Sequence, residues 1–136
     1  MDLTETARLT FADDHYATSL TGIVIEHVGN HKAECSLALD NRHRNARGAA
    51  MGGVLFTLAD FAAAIAANSE CLGSGELRWV SLNASIHYLS PALGRSLSVR
   101  CTSVKHGRTT ALYRSDITDP DSGRLVAVAE TTMMQV

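Results

Sequence analysis

The chain has 136 residues, a length that fits a single domain over residues 1–136 and that typically buries about 68% of the unfolded surface. With 46% apolar residues and a formal net charge of only -2, it carries no broad positive field for nucleic acid or an anionic membrane, so neither is an expected partner. Its three cysteines, Cys35, Cys71 and Cys101, lie far apart without a CxxC pair and read as buried thiols in a reducing cytoplasm.

The first segment, "MDLTETARLTFADDHYATSL", is mixed and acidic and lacks the basic start and apolar core of a signal peptide, which again points to the cytoplasm. It holds a weak helical pattern around "FADDHYATSL". Ile23, Ile25 and His27 then alternate with Val24, Glu26 and Val28 and predict a strand that ends at Gly29-Asn30. Ala33, Cys35, Leu37 and Leu39, set against Lys32, Glu34 and Ser36, predict its antiparallel partner in a hairpin. After the polar, arginine-rich connection "DNRHRNARGAA", a helix is predicted from about Gly52 to about Ser69. It is apolar on every side, which reads as a helix enclosed by protein. Its longest apolar run, Val54–Ala67, is interrupted by Asp60 and falls short of the roughly 20 residues that span a bilayer.

Beyond the loop "CLGSGE", Val80, Leu82, Ala84, Ile86 and Tyr88 alternate with Ser81, Asn83, Ser85 and His87 in a strand closed by "SPALG". Leu97, Val99 and Cys101 mark the next strand. Ala111, Tyr113, Ser115 and Ile117 follow the turn "KHGR", and Leu125–Met134 follow "DPDSG". Together these elements predict an α+β protein with a curled six-stranded antiparallel sheet around one long central helix.

Asp60 is the informative residue. An ionised carboxylate in apolar surroundings costs several kcal/mol unless it is paired, so this acid should be either perturbed or used. One reading has it bonded to Thr57, Asn68 or a nearby backbone group at a polar seam, fixing packing only. The other makes it a reactive group. Gly52-Gly53 admits two readings as well: close helix-to-sheet contact, or free helix N-terminal N–H groups that attract developing negative charge. Eight residues separate Gly52 from Asp60, about 12 Å along a helix axis, too far for both to reach one reacting carbonyl. If they cooperate, the glycine of one subunit meets the acid of another across a two-fold axis, and a catalytic reading therefore predicts a dimer.

"NARGAAMGGVLFTLAD", followed by "VSLNASIHYLSPALGRSL", "KHGRT" and "GRLVAVAETT", resembles the hotdog-fold acyl-CoA thioesterases of the phenylacetate-pathway type, in the 4-hydroxybenzoyl-CoA thioesterase superfamily. The likeness runs from about Ile23 to about Met133. It implies a hotdog fold and hydrolysis of a small aryl- or short- to medium-chain acyl-CoA by a homodimer that pairs further into a tetramer. Within it Asp60 is implied as nucleophile or general base, the Gly52 N–H as polariser of the thioester carbonyl, Asn45 as a holder of the thioester end and Ser81 as the residue that places water. Implied substrate contacts are Met51 and Gly53, with Arg47, His106 and Arg108 in the polar turns "RHRNAR" and "KHGR", which could grip the phosphates of coenzyme A or simply be solvated loops.

Where the family has His before Gly-Gly, this chain has Met51, which fills similar space without an imidazole hydrogen bond. That departure favours, as the alternative, a non-catalytic acyl-CoA-binding hotdog module, against which Asp60 argues. A hotdog hydratase or dehydratase is disfavoured because such chemistry normally sets a His beside the acid. Coenzyme A is part of the substrate, and the implied hydrolysis needs no cofactor. His27, His31 and His43 lack the tight spacing of a zinc site, so no metal is expected.

Overall fold

Asp2 caps the first helix, α1 (Leu3–Thr10), its carboxylate accepting from the Glu5 N–H at 2.8 Å. The computed structural model describes all of residues 1–136. After α1 the chain makes a 3₁₀ turn (Phe11–Asp13) and a widened helical turn (Tyr16–Thr21). Gly22, at φ 94°, ends that turn in the left-handed region that glycine adopts at little cost. Strands β1 (Val24–Gly29) and β2 (Lys32–Ala38) form the expected hairpin, and the long helix α2 (Gly52–Ala67) follows. Strands β3 (Trp79–Tyr88), β4 (Ser96–His106), β5 (Thr110–Thr118) and β6 (Leu125–Gln135) complete one antiparallel sheet in the order β1-β2-β4-β5-β6-β3. The α+β architecture is the one expected, with α2 packed across all six strands. Leu58, Ile65, Leu37, Leu97, Val99, Ile117 and Met133 are among the residues that fill the space between them.

Two of the sheet's four register shifts break the alternation that the sequence suggests. In β1 the register shifts between Ile25 and His27, so Ile25 is buried but Val28, not His27, is the next inward residue. In β3 the shift falls between Ser81 and Asn83. Trp79 is the inward residue before it, while Ala84 and Ile86 are the partly covered residues after it. A bulge inserts one residue against the partner strand and so exchanges the faces of everything beyond it.

The helix also departs from expectation. Leu55, Leu58, Phe61, Ala62 and Ile65 are buried, but Gly53 and Phe56 are exposed and Thr57, Asp60 and Ala64 only partly covered. These positions recur at helical spacing and form one continuous stripe. The single chain therefore leaves one side of α2 open instead of enclosing it. At its far end α2 stops at Asn68, whose amide is fully buried and locked. Its Nδ2 donates to the Ala64 and Trp79 carbonyls at 2.9 and 3.0 Å, and its Oδ1 accepts from the Trp79 N–H at 2.9 Å. Asn68 thus ties the helix terminus to the start of β3.

Cys35 and Cys101 are fully buried and Cys71 is partly exposed, with no disulfide among them. Burial first, and then nearby negative charge, pushes the Cys35 thiol up to about 12, and burial pushes Cys101 to about 12. Both values lie above the ordinary 9.0, so the stabilisation from keeping these thiols neutral is complete below pH ~9 and is lost as pH rises toward ~12. Across that window the unfolding free energy should fall by about 1.4 kcal/mol per pH unit for each thiol that ionises only on unfolding. Urea titrations at rising pH test this. Alkylation of native protein near pH 8 should label Cys71 alone, and all three thiols only after denaturation.

Candidate functional site

Helix α2 begins without a side-chain cap. Met51 holds the N-cap position, and neither Gly52 nor Gly53 uses its N–H in a hydrogen bond within the chain. Two free N–H groups at the positive end of a sixteen-residue helix are suited to an oxyanion or carbonyl oxygen. The start of the helix opens on a cleft of about 450 Å³ lined by Asn45, Arg47, Gly52, Leu55, Tyr88 and the Ser90–Leu93 turn. Tyr88 lies against Gly52 and donates its hydroxyl to the Gly52 carbonyl at 3.1 Å. A β-carbon on Gly52 would stand 3.2 Å from the Tyr88 ring, so the position is closed to any side chain unless Tyr88 moves. Gly53 has nothing within 4 Å of such a carbon and faces open space.

Asn45 organises the loop that forms one wall of the cleft. Its Oδ1 accepts from the Arg47 and Ala49 N–H groups at 2.9 and 3.2 Å, an Asx turn that leaves Nδ2 available to a ligand. The other side chains of "RHRNAR" are structural. Arg42 grips Asp40 and the Leu20 carbonyl, and Arg44 reaches the Gly48 and Gly94 carbonyls. His43 is buried, with Nδ1 accepting from the Asp40 N–H and Nε2 donating to the Thr21 carbonyl at 2.7 Å. Arg47 is the one basic side chain of this turn that is exposed without a partner and lines the cleft.

Asp60 lies in a different cleft, of about 310 Å³, bordered by Asp14, His15, Tyr16, Thr57 and Ala64. It is half-buried, not immersed in the core. The packing partners open to it in sequence are occupied elsewhere: Thr57 donates to the Gly53 carbonyl at 2.8 Å, and Asn68 clamps Trp79. The partner of Asp60 is Ser81, whose hydroxyl donates to Oδ1 at 3.1 Å and leaves Oδ2 unbonded. The bulge directly after Ser81 allows this strand to aim it at the helix while Ala84 and Ile86 pack inward further along.

Asp14 is a neighbour that sequence reasoning missed. Burial, and then the negative charge of Asp60, push its carboxyl above the ordinary value, with Asp13 adding and His15 opposing. The pair Asp13-Asp14 has no spacing relation to a helix that begins at Gly52, so only the fold brings them together.

Of the remaining candidates, Met51 is 56% exposed at the mouth of the helix. His106 and Arg108 border a third cleft, beside Glu70 and Trp79, apart from both others. His106 is packed inward. It stacks on His31 with ring centroids 3.8 Å apart and shares a 2.7 Å hydrogen bond with the Tyr113 hydroxyl. One protomer thus separates the Gly52 group from the Asp60 group, as their spacing on a single helix requires.

Residues 47–127 match the family model described as the thioesterase superfamily. Acyl-coenzyme A thioesterase 13 of Homo sapiens is 31% identical over 102 residues, covering 74% of this chain and 71% of that protein. A hypothetical thioesterase from Streptococcus pneumoniae TIGR4, solved with coenzyme A, superposes with a TM-score of 0.79 at 31% identity, over 93% of this chain and 96% of that one. The PaaI protein of the E. coli phenylacetic acid degradation operon, at 24% identity, shares the fold with a TM-score of 0.82 over 99% of this chain and 96% of its own.

Proposed function

The chain belongs to the thioesterase superfamily, with the hotdog fold and enzymatic character of that family, and on that premise we propose that it hydrolyses an acyl-CoA thioester at a site shared by two copies. In this reading the carbonyl oxygen accepts the Gly52 N–H of one copy. Asp60 of the other copy attacks the carbonyl carbon or takes a proton from the attacking water. As the tetrahedral oxyanion collapses, the carbon–sulfur bond breaks and the departing thiolate takes up a proton to give coenzyme A. Attack by water leaves the free acid directly, whereas attack by Asp60 leaves an acyl anhydride that a water molecule then hydrolyses to the acid and free Asp60. Ser81 steadies Oδ1, which leaves Oδ2 as the reactive oxygen, and Arg47 and the Nδ2 of Asn45 are placed to contact the substrate at the cleft that the Gly52 N–H serves.

The observation that carries this proposal is the uncovered stripe of α2, which presents Asp60, already hydrogen-bonded to Ser81, on the same face as exposed Gly53 and Phe56. A second copy is the natural cover. Strand β3 is an edge strand of ten residues, and its exposed Val80, Leu82 and Tyr88 make it a template for pairing. Two β3 edges joined about a two-fold axis would bring the open stripes together and create two identical sites.

A panel of aryl- and fatty acyl-CoA substrates, assayed by release of free thiol, tests the reaction. Saturable turnover of at least one class is expected, whereas binding of acyl-CoA without thiol release would favour the non-catalytic alternative. No helix is long and apolar enough to cross a membrane.

Met51 provides a separate test. Its side chain is exposed and makes no capping bond, so Met51→His should fold normally. An imidazole there would place a hydrogen-bonding group beside the carbonyl pocket and should change kcat/KM on the best substrate severalfold in either direction. Unchanged kinetics would reduce position 51 to packing.

A further inference from the structure

His31 stands at the tip of the β1–β2 hairpin with φ 55°, the one non-glycine residue in the chain with positive φ. Such a conformation is uncommon in a residue with a β-carbon and persists where its surroundings hold it. Here the Ser69 hydroxyl accepts the His31 N–H at 2.9 Å, and the His31 carbonyl accepts the Ser103 N–H at 3.2 Å. The turn thereby delivers the imidazole beside Glu70, from the 3₁₀ turn after α2, and His106, from the end of β4. One donor atom from each of the three lies within 4.8 Å of the other two.

Two features of this cluster lack an explanation in packing alone. His31 Nε2 is buried and makes no well-formed hydrogen bond, although Glu70 Oε1 approaches it to 2.8 Å. Tetrahedral bonds of about 2.0–2.1 Å hold two donors about 3.3 Å apart, so a shift of about half an ångström opens this pair around a zinc ion. The second feature is the set of partners around His106. Its Nδ1 is already engaged by the buried Tyr113 hydroxyl at 2.7 Å, which leaves Nε2 as its outward nitrogen. A partner on the far ring nitrogen is what fixes the tautomer and orientation of a metal-bound histidine.

From this geometry we infer that His31, Glu70 and His106 form a site for a divalent transition ion, with zinc the best match to a two-imidazole, one-carboxylate set. Glu70 and His106 border a cleft of about 470 Å³, also lined by Arg78 and Arg108, that can admit the ion and leave water in its remaining position. Binding requires the two rings to splay from their 16° interplanar angle so that both outward nitrogens face one centre. Arg78, at the same cleft, lies 3.6 Å from Glu76, a partner for its charge. The bound ion would tie the β1–β2 turn, the segment after α2 and the end of β4 together. The site is separate from the thioester reaction, to which it contributes no group.

The test uses the full chain, stripped with chelator and titrated with zinc by calorimetry, alongside thermal unfolding with and without zinc. Saturable 1:1 binding and a higher Tm with zinc are expected. Glu70→Gln removes a ligand whose side chain is 60% exposed, so the fold should survive and affinity should fall roughly tenfold or more. His31→Asn keeps a residue that tolerates positive φ and should lose the affinity as well. His27→Asn and His87→Asn, at exposed strand positions, should change neither affinity nor Tm shift. Absence of saturable binding to the stripped wild type overturns the inference. So does undiminished binding by Glu70→Gln, which stands as the deciding variant if His31→Asn does not fold.

Discussion

Asp60→Asn is expected to keep the fold and to lose on the order of a hundredfold or more in thioester turnover. The amide is nearly isosteric and can still accept the Ser81 hydroxyl through its oxygen at the 3.1 Å contact, so the local geometry has no reason to collapse. What disappears is the negative charge and basicity at Oδ2, the atom the mechanism requires to attack carbon or take a proton. Asp60 is only half-buried and lies on the open stripe of α2, so its replacement leaves no unpaired charge in the core and stability should change little. Circular dichroism and melting would verify the fold, and the thiol-release assay would read the activity. Near-normal turnover in a well-folded Asp60→Asn protein would remove Asp60 from the mechanism and return it to a structural role.

The second prediction asks whether the two clefts work together. Gly52→Val keeps Asp60 but forces a branched side chain where even a β-carbon meets Tyr88 at 3.2 Å. It should therefore disturb the helix start and crowd the N–H donor. Each homodimer, Gly52→Val or Asp60→Asn, should be nearly inactive. When the two variants are mixed, unfolded and refolded together, random pairing makes about half the dimers mixed, each with one intact site and one doubly damaged site. Activity should return to roughly a quarter of wild type per total subunit if both chains fold and pair equally. Mixing without unfolding should restore little where subunits exchange slowly. Refolded mixtures that stay as inactive as their parents, although native mass measurements show mixed dimers, would mean that Gly52 and Asp60 do not share a site across an interface.

Much of the molecule is legible in the chain because its signals are local. The alternation in β2, in β5 and over Leu97–Cys101 of β4 survives in the structure, since a strand with one buried face repeats every two residues whatever its neighbours are. The long apolar helix and its glycine start are equally local, as is the separation of Gly52 from Asp60, which follows from helical rise alone. The family resemblance rests on the same spaced residues, and it drew Asp60 and Ser81, which share a hydrogen bond, into one expectation.

Other features depended on which elements meet. The bulges in β1 and β3 are set by pairing with β2 and β6, and no residue beside them announces the change of face. Placing β3 at the sheet edge beside β6, not beside the consecutive β4, left its apolar side chains exposed and one side of α2 uncovered. Asp14 arrives next to Asp60, and His31 next to Glu70 and His106, through contacts between segments far apart in sequence. By itself the sequence determined the long helix and the strands, the fold class and the distance that keeps Gly52 from Asp60 on one helix, because backbone geometry and side-chain periodicity act over a few residues. It did not place the first helix, which lies at Leu3–Thr10 and not around Phe11–Leu20. Only the tertiary structure decided which faces stay open and which distant side chains gather, because those outcomes depend on strand order and register, to which every strand contributes.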